Sequence, residues 1–188
     1  LLRSLHHAFT VAGGVYLPHV KVTGIATAPR NFLLETNLGT IQAERAVLAA
    51  GLGNATLASH FGLKAPVRPQ RGQVLVTERT RAALPMPTTT IRQTGEGSIM
   101  LGDSVEEVGF DTRQTQPVMA EIAHRAALCF PWIGKLNVVR AWSALRVMSP
   151  DGLPIYDQSE TLPGAYTANC HSGVTLAAAH GKLLAPMI

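Results

Sequence analysis

Two strand-to-turn units, far apart in the sequence, constrain the fold more than any other feature. The first is an apolar run at 46–50 that ends in Gly51-Leu52-Gly53 and leads into a short helix predicted over about 55–61. The second is an apolar run at 165–168 that leads, through a polar loop, into a helix predicted to run towards Ile188. A continuous apolar run is typical of a strand buried on both faces. The repeated design predicts that the chain leaves a layered α/β domain and later returns to it.

The residues between these units have the pattern of an antiparallel sheet. Strands are predicted at 72–78 and 137–145, a hairpin has arms at 88–92 and 98–102, and a helix is predicted at 117–130. The predicted fold class is therefore α/β with a mixed α+β character, a partial layered domain interrupted by an antiparallel-sheet domain. The predicted boundaries are 1–65 for the layered domain, 66–158 for the inserted domain and 159–188 for the return.

The residues before the first unit predict one helix and a small group of strands. Leu1, Leu2, Leu5 and Phe9 recur at helical spacing. Short strands are predicted at 15–17 and 21–25, and a hairpin at 32–36 and 39–43. Because the sequence begins inside a helical pattern with Leu1 rather than Met, we expect the natural protein to extend beyond Leu1.

The balance of charges argues against a nucleic-acid partner. The formal net charge is +4, but the basic residues are scattered singly, without the clusters or aromatic interleaving of a nucleic-acid surface. The positive excess favours an anionic small-molecule ligand. Charged residues make up only 15% of the chain, below the roughly 25% of an average domain. This shortfall suggests a surface that is covered by a partner subunit or by another part of the same protein.

Neither metal binding nor membrane spanning is predicted. The seven histidines show no HxxxH or HExxH spacing, and no apolar run approaches the roughly 18 residues of a spanning helix. Cys129 and Cys170 form no CxxC motif. We therefore expect a reduced protein in the cytoplasm, with association at the inner face of the membrane as an alternative.

Arg146 is the first candidate for chemistry, because it follows an apolar strand and precedes the turn Ser149-Pro150-Asp151-Gly152. A guanidinium in such a place needs an anionic partner, since burying it unpaired is costly. The carboxylate of a substrate matches its planar fork. An internal salt bridge with Asp151 or Asp157 is the alternative.

The glycine-rich turn at 49–53 and the polar loop at 169–175 are the other candidates. Small residues at the carboxyl end of a buried strand allow a flat ligand to touch the backbone, although a tight turn alone needs the same residues. In the polar loop, Ser172 is predicted to cap the following helix, and Gly173 leaves room for an electron-rich group on the first helical N–H groups. An ordinary capped helix is the alternative there. The sequence contains neither a GxSxG nucleophile motif nor a GxGxxG dinucleotide motif.

Four segments, which follow one another in the same order as in the family, resemble the D-amino-acid-oxidase-like superfamily of FAD-dependent oxidoreductases. This superfamily includes glycine oxidase and the FAD subunits of opine oxidases, hydroxyproline dehydrogenases and hydrogen cyanide synthases. The resemblance covers essentially the whole chain, but the family's N-terminal GxGxxG segment has no counterpart. Val147 stands where the family often has Pro, and Asn169-Cys170-His171 replaces a Gly-rich run. The four segments are 44–53, 66–75, 145–154 and 171–177.

The resemblance implies non-covalent FAD and the oxidation of an amine to an imine, with hydride transfer to flavin N5. The substrate would be a D-amino acid, glycine, hydroxyproline or an opine, and partner subunits are expected. A non-catalytic fragment or assembly subunit is the alternative. Arg146 would hold the substrate carboxylate and Val22 would meet the adenine through its backbone. The residues expected along the cofactor are Ala49, Ala50, Gly51, Leu52 and Gly53 in the cleft, and His171, Ser172, Gly173, Val174 and Thr175 at the pyrimidine edge of the flavin.

Overall fold

The computed structural model describes residues 1–28 and 31–188, which form a mixed α/β structure with three small sheets. Among these described residues, none of the helices combines the length and the apolar character that a membrane crossing requires. The helices are α1 (Leu2–Val11), α2 (Asn54–Leu57), α3 (Gln116–Cys129) and α4 (Ala177–Ala179). The strands are β1 (Val22–Ala28), β2 (Asn31–Thr36), β3 (Gly39–Ala43), β4 (Ala46–Leu48), β5 (Arg68–Arg79), β6 (Ile91–Gln93), β7 (Ser98–Leu101), β8 (Val138–Met148), β9 (Ile155–Gln158) and β10 (Ala165–Asn169).

The first sheet is the antiparallel meander β1-β2-β3. Its second hairpin confirms the predicted pairing, with Thr36 opposite Gly39 across the turn. Gly39 has a φ of 118°, a backbone conformation that costs glycine little and other residues much. The strand predicted at 15–17 was wrong, because these residues have no regular structure and their side chains are exposed.

The second sheet, in the order β4-β10-β9, joins the two units that are distant in sequence. β4 pairs with β10 in parallel, with Ala46 opposite Ala165, and β9 pairs with β10 in the antiparallel sense. A core of Phe32, Phe61, Ala165 and their neighbours lies beside this sheet. The predicted return of the chain to the first unit is therefore found in the structure.

The strand predicted at 46–50 to be buried on both faces was only half right. β4 has three residues and lies at the edge of its sheet. Ala46 and Leu48 are buried, but Val47 between them is 44% exposed. Successive side chains of a strand point to opposite faces of its sheet, so Val47 faces the side away from Ala46 and Leu48, and that side is not covered here.

The third sheet has the order β6-β7-β5-β8 and is entirely antiparallel. Helix α3 covers one face, where Ile122 and Ala126, one turn apart, pack against Leu75 and Leu101. On the other face, Val74, Val76 and Met100 are half-buried. Strand β8 extends to Met148, so Arg146 lies within the strand rather than after it. The predicted hairpin, helix and strands of this region are all present, whereas the domain boundaries 1–65, 66–158 and 159–188 stay a prediction.

Candidate functional site

The carboxyl ends of β4 and β10 meet because the two strands are parallel neighbours, and a pair of buried asparagines joins Asn54 of α2 to Asn169 at the end of β10. The Asn54 side chain donates to the carbonyl of Leu48 at 3.0 Å and to Oδ1 of Asn169 at 2.7 Å. In return, its Oδ1 accepts the N–H of Ala50 at 3.1 Å. Asn169 also donates to the Thr167 hydroxyl at 2.8 Å. No role is predicted for either asparagine from the sequence, although Asn54 directly follows the glycine-rich turn at 49–53 and Asn169 opens the polar loop at 169–175.

The predicted cleft residues lie partly together. Val22, Ala49 and Ala50 line one cavity of about 460 Å³, together with Val47 and the apolar core side chains around it. Gly51–Gly53 form a 3-10 turn beyond the cavity. Gly51 has a φ of 58°, and a Cβ added to it would lie 3.4 Å from the Val147 side chain. The turn after β4 thus lies close to the strand that carries Arg146.

The prediction that Ser172 caps a helix was wrong. The helix begins at Ala177, its N-cap is Leu176, and no side chain caps it. The carbonyl of Ser172 instead accepts the N–H of Leu176 at 3.0 Å in a turn. Gly and β-branched residues at 173–175 favour the helix less than the alanines at 177–179, so the helix starts late. After Ala179 it continues as the π-helical turn His180–Leu184 and the 3-10 turn Ala185–Met187.

The turn at 171–176 nevertheless presents free donors. In the hydrogen bonds found between described residues, the backbone N–H groups of Gly173, Val174 and Thr175 donate to nothing. All three residues are exposed. The His171 ring lies 3.2 Å from the Ser172 hydroxyl through Nδ1. Three consecutive donors of this kind suit an electron-rich edge of a ligand, without a regular helix behind them.

Arg146 lies flat across the neighbouring strand. Its Nη1 donates to the carbonyls of Ser104 at 2.9 Å and Arg71 at 3.3 Å, and its Nη2 donates to Oδ2 of Asp103 at 2.6 Å. A Cβ built on Gly72 would come within 2.5–2.6 Å of the guanidinium atoms. The missing side chain at Gly72 therefore makes room for Arg146. The side chains of Arg146 and Asp103 are 22% and 47% exposed.

The alternative salt bridge proposed for Arg146, with Asp151 or Asp157, was wrong about the partner. Asp151 accepts from the Ser149 hydroxyl and the Leu153 N–H within its own turn. Asp103, in the segment after β7, takes the place beside Arg146. Nothing in the spacing pointed to it, because the pairing depends on the segment after β7 running beside β5.

A buried ion network holds that segment in place. Arg71 donates to Glu106 at 2.6 Å, and Gln73 and Ser104 donate to the same carboxylate at 3.0 Å and 2.6 Å. The hydrogen bond from Arg71, followed by those from Ser104 and Gln73, lowers the pKa of Glu106 from 4.5 to about 2 against the opposing effect of burial. On the other side of Arg71, Asp111 has a lowered pKa, mainly because Arg113 donates to it. Both carboxylates are thus ionised at neutral pH, and they fix the loop that presents Asp103.

In the described part of the chain, no three His, Cys, Asp or Glu side chains form a group that could hold a metal ion. Neither Cys129 nor Cys170 is in a disulfide. The polar groups of the candidate site include the guanidinium of Arg146 and the N–H groups of residues 173–175, which are hydrogen-bond donors.

Comparison with known proteins gives consistent matches. The family model described as "FAD dependent oxidoreductase" matches residues 1–187. An opine oxidase subunit of Agrobacterium tumefaciens is 44% identical over all of this chain and 51% of its own length. Hydrogen cyanide synthase subunit HcnC of Pseudomonas aeruginosa is 33% identical over 89% of the chain and 42% of its own. The crystal structure of glycine oxidase from Geobacillus kaustophilus superposes with a TM-score of 0.86 at 26% identity, over 97% of this chain and 51% of that one. The chain thus spans about half the length of these relatives.

Proposed function

This chain belongs to the FAD dependent oxidoreductase family, and from that premise we propose that its protein oxidises an amino acid or N-substituted amino acid at the amine, with FAD as cofactor. The family resemblance inferred from the sequence and the mixed α/β fold are both confirmed. The main support for the proposed reaction is the position of the Arg146 guanidinium. It lies across Gly72, and its hydrogen bonds within the protein do not use all of its N–H donors.

Arg146 is proposed to hold the substrate carboxylate. A guanidinium has five N–H donors, and the hydrogen bonds of Arg146 to Arg71, Ser104 and Asp103 use three of them. Two donors remain for a carboxylate. The contacts with the protein also limit the movement of the guanidinium, so that less entropy is lost when the substrate binds. An anchored carboxylate restricts where the adjacent carbon and amine lie.

The residues at the carboxyl ends of β4 and β10 fit the cofactor of this family. Val22, Ala49 and Ala50 line a cavity of about 460 Å³, in which small side chains leave the backbone accessible to a flat ring system. We assign the adenine to Val22 and the rest of the cleft to residues 49–53. When bound, FAD supplies the acceptor for the hydride that leaves the substrate carbon.

The donors at 173–175 are proposed to stabilise negative charge on the pyrimidine edge of the flavin, with His171 and Ser172 beside them. This assignment is supported by the observation that these exposed N–H groups donate to no described residue. Preorganised donors of this kind stabilise developing charge because they need not reorganise during the reaction. Neither cysteine of the chain lies in the turn after Arg146, so we propose that FAD is held without a covalent bond.

The remaining steps of the proposed reaction need no further catalytic side chain. The carboxylate is bound by Arg146 and the amine, bound without its extra proton, needs no dedicated base. The imine formed at the carbon between amine and carboxylate is then hydrolysed by water. Since two matched relatives are named as subunits, we also propose that partner subunits assemble with this protein.

A visible spectrum tests the proposed function. The natural gene product that carries this sequence is purified and examined for bound flavin. It is then mixed without oxygen with glycine, D-amino acids, hydroxyproline and N-substituted amino acids. We expect flavin absorbance that bleaches with at least one of them. Absence of bound flavin, or no bleaching by any amine, contradicts the proposal.

A non-catalytic assembly subunit is the second candidate. It is favoured by the exposed leucines of α1, a helix with no buried residue in this structure. Bound flavin without bleaching in the presence of every partner subunit would support this second function.

A further inference from the structure

The turn at 171–176, called the donor turn below, has few hydrogen bonds of its own to fix the direction of its free N–H groups. Across it, the N–H of Leu176 donates to the carbonyl of Ser172 at 3.0 Å. The N–H of Ala177 donates to the carbonyl of Val174 at 3.4 Å. Helix α4, which follows, has no buried residue and no side-chain cap. The direction of the free N–H groups therefore depends on what holds the two ends of the turn.

The first end of the donor turn is held by a buried side chain. Asn169, the last residue of β10, is 4% exposed. Its side chain accepts from Asn54 at 2.7 Å and donates to the Thr167 hydroxyl at 2.8 Å. This end of the turn is therefore attached to the core of the protein.

The second end is attached to the sheet by a tyrosine and a histidine. The Tyr156 hydroxyl lies 2.6 Å from Nε2 of His180, and the two rings meet edge to face with their centroids 5.5 Å apart. Tyr156 lies on β9, opposite Ala168 of β10. The backbone N–H of His180 donates to the carbonyl of Leu176, at the end of the donor turn, at 2.9 Å. His180 thus links the donor turn to the β9–β10 pair.

Apolar packing adds little to this link. In the part of the chain that the structure describes, the contact of Tyr156 with His180 is the one hydrogen bond between residues 177–188 and a strand. A cavity of about 230 Å³ is lined both by strand residues and by the last turns of the chain, among them Tyr156, Tyr166, Leu184, Met187 and Ile188. Because packing is incomplete there, the hydrogen bond of Tyr156 restrains this segment at its first turn.

The link can form in either protonation state of the imidazole. A tyrosine hydroxyl both donates and accepts hydrogen bonds. It can therefore donate to the unprotonated Nε2 of His180 or accept from Nε2–H. The link requires hydrogen-bonding atoms at both residues, but it does not require a charge on the histidine.

We propose that Tyr156 and His180 are positioning residues, whose hydrogen bond holds the N–H groups of 173–175 at the pyrimidine edge of the flavin. This role rests on the proposed function, which assigns those N–H groups to the flavin. Donors stabilise charge best when they already point at it, because reorientation during the reaction has a cost. Without the link, the donor turn is anchored at Asn169 alone, and its backbone has more conformations to lose when the donors are aligned.

The test measures how well the protein stabilises negative charge on the flavin of the FAD-loaded natural gene product. The midpoint potential of the bound flavin is the main readout. The second readout is the dissociation constant for sulfite, whose complex with oxidised flavin is negatively charged and is detected as a loss of visible absorbance. Neither measurement uses an amine substrate, so neither depends on Arg146.

Tyr156→Phe removes the hydroxyl and keeps the ring. Tyr166→Phe is the matched control, because Tyr166 lines the same cavity and its hydroxyl forms no hydrogen bond with the described residues. We expect Tyr156→Phe to weaken sulfite binding about threefold to tenfold, as for the loss of one hydrogen bond. A tenfold loss corresponds to a midpoint potential about 30 mV lower for a two-electron couple. Tyr166→Phe should change neither quantity.

Two variants of His180 separate the hydrogen bond from the charge of the ring. Glutamine carries an amide near the position of Nε2 and can form the hydrogen bond with Tyr156 without titrating. We therefore expect His180→Ala to lower the potential and His180→Gln to recover most of the loss. Because both residues act through one hydrogen bond, combining Tyr156→Phe with His180→Ala should cost no more than His180→Ala alone.

The positioning role is wrong if Tyr156→Phe keeps the wild-type potential, or if His180→Gln loses as much as His180→Ala. It is also wrong if the substitutions lower thermal stability alone, since a merely structural contact would do so and leave the potential unchanged. In each of these cases the wild-type flavin is still bleached by an amine, and the proposed function stands. Absence of bound flavin, or no bleaching by any amine, contradicts the proposed function itself.

Discussion

The sheet that carries Arg146 and the layers that flank it differ in how completely they bury their apolar side chains. Helix α3 closes one face of the β6-β7-β5-β8 sheet over Ile122 and Leu75. In the flanking layers, α1 has no buried residue and Val47 on the edge strand β4 is 44% exposed. The residues proposed to face the substrate therefore lie on a sheet that packs against a buried core. The residues proposed to face the cofactor lie on a smaller sheet, and part of its apolar surface is exposed to solvent.

The largest expected effect is on the substrate side. Arg146→Ala should lower kcat/KM for a carboxylate substrate. The lost stabilisation of the transition state should be about 2–5 kcal/mol, the cost of removing one partner of a hydrogen-bonded charge pair. Steady-state kinetics on the flavin-loaded protein measure this loss. The matched control is Arg140→Ala, which removes an arginine of the same sheet that stacks on Trp142. An unchanged KM together with an unchanged kcat would show that Arg146 does not bind the substrate carboxylate.

One substitution at a buried side chain and one at an exposed side chain test the difference in burial directly. Ile122→Ala, at a side chain 1% exposed beneath the sheet, should lower the free energy of unfolding by about 2–4 kcal/mol, because it leaves a cavity. Leu5→Ala, at a side chain 50% exposed on α1, should cost less than about 0.5 kcal/mol. Denaturant titration of the purified protein measures both. A large loss for Leu5→Ala would mean that α1 is covered in the natural protein and would break the contrast between the two regions.

The ion network under the sheet should make stability depend on pH. Because the pKa of Glu106 is lowered from 4.5 to about 2, its contribution is fully present above pH 4.5 and is lost as the pH falls towards 2. We expect this contribution to be about 1–3 kcal/mol, that of a hydrogen bond to a charged group.

Glu106→Gln provides the matched comparison, since the amide keeps the shape of the side chain without its titration. Denaturant titrations of both proteins at several pH values between about 2 and 6 cover the window in which the carboxylate is protonated. The difference in stability between wild type and variant should shrink as the pH falls. A constant difference would show that the network does not depend on the charge of Glu106.

The smallest expected effect tests how Arg146 is positioned. Gly72→Ala places a methyl group within 2.6 Å of the guanidinium, which must then move away from Asp103. Since a flexible side chain moves easily, we expect little loss of stability but about a tenfold loss of kcat/KM, or about 1.4 kcal/mol. Gly95→Ala is the control, because a Cβ there meets nothing within 4 Å. Equal kinetics for the two variants would contradict the fit between Gly72 and Arg146.

Local patterns predicted the regular elements of the third sheet well. The helix predicted at 117–130 is α3 at Gln116–Cys129. The hairpin predicted with arms at 88–92 and 98–102 is formed by β6 at Ile91–Gln93 and β7 at Ser98–Leu101. The same kind of reasoning failed for Ser172. A favourable capping residue does not start a helix when the next residues, Gly173 and two β-branched side chains, favour it poorly.

The sequence alone determined the family and the mixed α/β class, because strand and helix periods and short motifs are local properties. The role of Arg146 stays a prediction. The sequence did not determine the partners of Arg146. Its contacts with Asp103 and the room left by Gly72 arise where β8, β5 and the segment after β7 lie side by side. The same holds for the buried Asn54–Asn169 pair, which joins the start of α2 to the end of β10. Such contacts join residues far apart in the chain, and only the tertiary structure decides which distant side chains meet.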